Sequence, residues 1–179
     1  VPVTFRAAGT SLSGQSVSDS VLVVAGKNWD FWHISEDATE ITLGPGVIGA
    51  KVNEYMKPYN RKFGPDPASI KSCMVGGIVA NNASGMSCGT VFNSDRTLKS
   101  ARIVFIDGTV LDTSSRESRE SFNRTHRSLV SQITALREEV LQDTELVEKI
   151  KAKYSIKNVT GLNLLPFIEF SDPIDIILH

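Results

Sequence analysis

The pattern of this chain predicts an α+β fold, and three observations carry that reading. Short runs of Val, Ile, Leu and Phe recur at residues 1–5, 21–25, 31–34, 40–43, 98–106 and 109–112, each of strand length. Apolar residues at helical spacing mark residues 47–59, 126–142 and 145–154. Between these lie stretches of glycine and short polar residues with almost no charge. The longest is GGIVANNASGMSCGT at residues 76–90.

The 179 residues are 41% hydrophobic and 22% charged, with a formal net charge of -1. That balance supports a globular core and speaks against a general nucleic-acid binder or a membrane-surface protein. No apolar run is long enough to span a bilayer and no signal peptide is visible, so a cytoplasmic location is expected. Peripheral attachment of a longer parent to a membrane stays open. Cys73 and Cys88 are too few for a disulfide framework, and His33, His126 and His179 are scattered, so no metal site is expected. No residue is nominated as a catalytic acid or base.

In chain order, residues 1–5 form a first strand, running into Arg6-Ala-Ala-Gly-Thr-Ser-Leu-Ser-Gly-Gln15. Backbone N–H groups in such a loop can converge on an anion, and Thr10, Ser11 and Ser13 add hydroxyl donors. Gly9 to Ser16 approaches the G-x-x-x-x-G-K-[ST] phosphate loop, with Gln15 where the lysine belongs. The missing lysine counts against a nucleotide triphosphatase. Residues 21–25 read as a buried strand. Residues 31–34 and 40–43 are shorter ones, with a turn at 35–38. Gly44-Pro45-Gly46 breaks the chain before a helix over 47–59 that Pro58 ends. Residues 63–69 form a Pro-rich connector and the expected boundary between two lobes. Ser69 caps a short helix holding Cys73 and Met74. Residues 76–90 resemble a backbone wall against a flat or phosphorylated ligand, because glycine lets the backbone approach closely. A tight turn between two elements explains the same composition.

Asp107-Gly108 joins two strands into a hairpin, since that dipeptide supplies positive φ. Residues 114–123 are polar and read as a surface loop. Amphipathic helices follow at 126–142 and 145–154, then a basic stretch at 151–157 and a loop at 158–165. A strand-like run already under way at Val1 predicts a segment of a longer polypeptide. So does a helix start at Ser171-Asp172-Pro173, close to His179.

Three segments taken together carry a family resemblance. They are residues 2–14, residues 64–69 with 76–85, and Lys157-Asn-Val-Thr-Gly161. The chain resembles the FAD-binding domain of FAD-linked oxidases, the vanillyl-alcohol oxidase or PCMH type, and is most similar to D-lactate and related D-2-hydroxyacid dehydrogenases. The run from Ala80 to Thr90 is similar to members fused to an iron–sulfur domain.

The resemblance implies a two-lobed fold, incomplete at both ends, with non-covalent FAD between the lobes. Residues 1–63 would belong to the first lobe and 64–179 to a truncated second lobe. It implies that Ala8, Gly9, Thr10, Ser11, Leu12 and Gly14 line the FAD pyrophosphate. Pro65, Asp66 and Ser69 would reach towards the isoalloxazine, and Gly76, Gly77, Ala80, Asn81, Ser84 and Gly85 would form the second wall. Leu162 departs from the Tyr common after the Thr-Gly pair. The implied activity is oxidation of a D-2-hydroxy acid such as D-lactate, by hydride transfer to the flavin. The substrate domain lies outside this chain, so the segment alone is expected to be inactive. Implied partners are a small hydroxy acid and an electron acceptor or iron–sulfur domain. Two other readings remain, a nucleotide-binding module without redox chemistry and a cofactor-free scaffold.

Overall fold

A computed structural model describes residues 1–85, 87–158 and 161–179. Helices and small two-stranded sheets alternate, giving a mixed α and β architecture. The chain forms two compact units, Val1–Thr97 and Leu98–His179. The boundary expected near residue 64 falls inside the first of them. There Phe63 N–H donates to Asn53 Oδ1 at 2.9 Å, and Pro65 is buried.

In the first unit, β1 (Val3–Arg6) pairs in parallel with β2 (Val21–Val24), in register from Val3 opposite Val21 to Arg6 opposite Val24. The strand at 21–25 was expected to be buried. Instead Val21 and Val24 are about half exposed, because among the described residues this sheet has two strands. β3 (Trp32–Ile34) and β4 (Ile41–Leu43) form an antiparallel pair. Their turn is organised by Asp37, whose carboxylate accepts from the Ser35 hydroxyl at 2.6 Å, Thr39 N–H at 3.1 Å and the Thr39 hydroxyl at 2.8 Å. The Ser35 bond, followed by those from Thr39, holds the Asp37 carboxyl down to about 2.

Gly44 and Gly46 then lie against the Trp29 carbonyl, where a Cβ at Gly44 would collide and one at Gly46 would be tight at 3.0 Å. The helix expected over 47–59 is shorter: α1 spans Gly49–Met56, and Lys57–Tyr59 tightens into one 3-10 turn at Pro58. Proline has no N–H to extend the α ladder. Val52 and Met56, one turn apart on α1, pack with Val47 and Val75 to form the core, under Ile34, Ile41, Leu43 and Phe63. No helix spans Cys73 and Met74. Residues 68–72 turn instead, and α2 (Val75–Ala80) begins one residue past Met74. A short α3 (Ser94–Thr97) locks the turn after α2, as the Ser94 hydroxyl donates to the Ala83 and Ile78 carbonyls at 2.8 and 3.1 Å.

In the second unit, β5 (Arg102–Val104) and β6 (Val110–Asp112) form the hairpin that Asp107-Gly108 predicts, with Gly108 at φ 84°. Residues 114–123 are a correction to the sequence reading, since they are largely helical: α4 spans Arg116–Thr125. The Ser115 side chain caps it by accepting from Ser118 N–H. Its one large apolar residue, Phe122, is 1% exposed and packs with Leu111 and Ile174. α5 (Arg127–Gln142) and α6 (Thr144–Tyr154) follow as expected, then α7 (Pro166–Glu169) and α8 (Pro173–Leu178). Among the described residues, no helix is long and apolar enough to cross a membrane.

Candidate functional site

The first unit holds a cleft of about 270 Å³, built from two stretches far apart in sequence. One wall is the end of β1 and the loop after it: Phe5, Ala7, Ala8, Gly9, Thr10, Ser11, Gln15 and Ser16. Parallel pairing with β2 fixes this wall, and Ala25 N–H extends the ladder by donating to the Arg6 carbonyl at 2.8 Å. The opposite wall is Met74, Gly77, Ile78, Ala80 and Asn81 around α2, with Pro67, Ser69 and Cys73 before it and Ala83 after it. That wall is held by hydrogen bonds to the turn before α1: Val75 N–H to the Val47 carbonyl at 2.8 Å and Gly76 N–H to the Pro45 carbonyl at 2.9 Å.

Gly9 has φ 67°, a left-handed conformation that side chains disfavour. The Arg6 side chain folds over it, with Cζ 2.7 Å from where a Gly9 Cβ would stand. Gly77 differs in kind. A Cβ there would meet only the Ala7 Cβ, at 3.6 Å, so the backbone of α2 is laid open to the cleft.

Eight of the site residues named from the sequence converge here: Ala8, Gly9, Thr10, Ser11, Ser69, Gly77, Ala80 and Asn81. The others stand elsewhere. Leu12 and Gly14 project into solvent at the loop tip, Leu12 fully exposed. Asp66 pairs with Lys62 at 3.2 Å, and Pro65 is fully buried. Gly76 lies against Pro45, and a Cβ would stand 2.7 Å from the Pro45 Cβ. Gly85 is pressed on the Asp66 backbone. Ser84 is 6% exposed, and its hydroxyl has no hydrogen-bond partner among the described residues. Met86 of the 76–90 stretch, and Val159 and Thr160 of the third segment, lie outside the described residues.

The sequence reading missed Phe5, Ala7, Pro67, Cys73, Met74, Ile78 and Ala83 as lining residues. Their composition is that of ordinary core, so only the fold distinguishes them. For Gln15 and Ser16 a signal existed, since they close the near-match to a phosphate loop. Among the described residues, no group of three His, Cys, Asp or Glu side chains is placed to hold a metal ion.

A family model described as FAD binding domain matches residues 1–114. The chain is similar to a D-2-hydroxyglutarate dehydrogenase of Haemophilus influenzae, 22% identical over 172 residues, covering 89% of this chain and 17% of that protein. It is 32% identical over 113 residues to the glycolate oxidase subunit GlcD of Escherichia coli K12, covering 62% of this chain and 23% of that protein. A D-2-hydroxyglutarate dehydrogenase of the same strain is 25% identical over 111 residues, covering 62% and 11%. The chain therefore spans less than a quarter of the length of these relatives. The matched residues contain the whole cleft, and the chain belongs to the FAD binding domain family of FAD-linked oxidases, with FAD as its cofactor.

Proposed function

We propose that this chain is the FAD-binding part of a flavin-dependent oxidoreductase that oxidises a D-2-hydroxy acid, such as D-lactate, to the 2-oxo acid. The observation that carries the proposal is the convergence of the Gly9 loop and the Gly77 helix on one cleft. The names of the relatives, D-2-hydroxyglutarate dehydrogenase and glycolate oxidase, support a small 2-hydroxy acid as the substrate class.

The residues present fit part of a dinucleotide. Hydroxyls of Thr10, Ser11, Ser16 and Ser69 and the amides of Gln15 and Asn81 line the cleft beside apolar Phe5, Met74 and Ile78. An open α-carbon at Gly77 admits close approach. Ser84, next in the chain to Ala83, keeps a buried hydroxyl without a partner among the described residues, a group that costs free energy until something bonds it. At about 270 Å³ the cleft lies just below the range of about 300–1,000 Å³ for whole ligand sites. It suits the diphosphate and its immediate neighbours rather than all of FAD.

In this reading Ala8, Gly9, Thr10 and Ser11 hold the pyrophosphate, and Ser69, Gly77, Ala80 and Asn81 face it from the other wall. Bound FAD supplies the two-electron chemistry, and the protein supplies binding and orientation. The cleft's lining holds no Asp, Glu, Lys, Arg or His to serve as catalytic acid or base, so the chain alone binds flavin without turnover of D-lactate. An electron acceptor or iron–sulfur domain belongs to the longer protein.

Titration of the chain with FAD, read by quenching of flavin fluorescence with ATP as competitor, tests the reading. Saturable quenching that ATP does not reverse is expected, and acid precipitation should leave the flavin in the supernatant, as non-covalent binding requires. Displacement by ATP would instead favour a nucleotide module without redox chemistry.

A further inference from the structure

We propose that the cleft takes the diphosphate with neutral donors alone, and that Gln15 is its specificity-determining donor, oriented by Ser11. The inference rests on the FAD reading above. It starts from the lining, which contains no Asp, Glu, Lys, Arg or His. No side chain of the lining itself offers an anion a counter-charge or a repelling carboxylate. Arg6 is the cation near the loop, but its side chain is folded over Gly9 and is not part of the lining.

Ser11 and Gln15 both line the cleft, and the Ser11 hydroxyl donates to Gln15 Oε1 at 2.5 Å. That bond occupies the acceptor end of the amide. Nε2 carries two N–H donors; the side chain is exposed, and no hydrogen bond from Nε2 is present among the described residues. The loop therefore holds the one end of Gln15 that an anion can use, and it does so at the position where a phosphate loop places lysine. A neutral amide binds by short-range hydrogen bonding. It lacks the Coulomb attraction that salt screens, and it gains nothing extra from the third phosphate of a nucleoside triphosphate.

The test is FAD quenching at low and high salt for the wild-type chain, Gln15→Leu, Gln15→Glu and Ser11→Ala. Wild-type affinity should hardly change with salt. Gln15→Leu should lose about tenfold at both salt levels, the equivalent of one good hydrogen bond. Gln15→Glu should lose more at low salt and recover part of that loss at high salt, as repulsion of the anion is screened. Ser11→Ala should weaken binding in the wild-type background and have little effect on top of Gln15→Leu, because the two act as a unit. Wild-type affinity in Gln15→Leu, or equal salt response in the Leu and Glu variants, would overturn the proposal and leave the FAD reading standing. So would wild-type binding that collapses at high salt. Absence of flavin binding by the wild-type chain would overturn both.

Discussion

Gly85 rests its α-carbon directly on the backbone of Asp66, so closely that a Cβ would overlap the Asp66 carbonyl. This contact joins the Pro-rich connector to the glycine-rich stretch. Because the obstacle is backbone, it cannot rotate aside as a side chain would. Gly85→Ala should destabilise the first unit by about 1–3 kcal/mol or more, the range for forced overpacking. Gly26→Ala is the matched control, since φ there is not left-handed and its nearest neighbour is the Val24 carbonyl at 4.0 Å. Urea unfolding of both variants decides the point. Equal stability would remove the packing role of Gly85.

Gly9→Val should act on binding more than on packing. The residue sits at φ 67°, and a side chain there costs about 1–2 kcal/mol in backbone strain. The Arg6 side chain must also move, although its flexible end can do so cheaply. The loop then loses its shape at the cleft, and FAD affinity should fall by about tenfold or more, in line with that strain. Flavin quenching measures it, and unchanged affinity would take Gly9 out of the site.

Beside the packing of Phe122 on Ile174, one guanidinium links α4 to α8. Arg119 Nη2 reaches Asp172 Oδ2 at 2.7 Å and Asp175 Oδ1 at 2.8 Å, while Nη1 donates to the Thr113 carbonyl at 3.1 Å. Asp172 also caps α8 by accepting from Ile174 N–H at 2.8 Å. The two carboxylates are 40% and 32% exposed, so water recovers part of any loss. Arg119→Leu should cost about 1.5–3 kcal/mol, the range for hydrogen bonds to charged groups. A double-mutant cycle with Asp172→Asn measures the coupling, and a coupling near zero would contradict the arrangement.

The turn at Asp37 predicts a pH effect with a definite sign. The folded carboxyl titrates at about 2, and an unfolded Asp at about 3.9. A depressed carboxyl stabilises the fold above the unfolded value and loses that contribution as pH falls through the folded one. The stability gap between wild type and Asp37→Asn should therefore be full at pH 5 and shrink between about pH 4 and pH 2. Thermal unfolding across that range checks the sign. A gap that widens on acidification would refute it.

What could be read from the residues depended on how local each signal was. The 102–112 hairpin was legible because Asp107 and Gly108 fix the turn by themselves. The helix at 116–125 was not, because its sequence offers a single large apolar anchor, Phe122, among charged neighbours. Its start was nevertheless written in Ser115. In the site the ambiguity lies in glycine itself. Gly76, Gly77 and Gly85 look alike in sequence, yet Gly77 opens towards the cleft while Gly76 and Gly85 admit Pro45 and Asp66. Both uses need a missing Cβ, and only tertiary structure separates them. Leu12 fell to the same limit, since its position at a loop tip decides its exposure.

The chain has two tryptophans, Trp29 and Trp32, and both lie in the first unit, where Trp32 stacks on Tyr55 at 4.3 Å. The second unit has none. Indole emission is therefore a built-in optical reporter of one unit alone, and far-UV dichroism sums over both. If the units melt separately, the two signals will trace different curves on a single sample, and flavin should shift the emission curve whole but the dichroism curve only in the first unit's share.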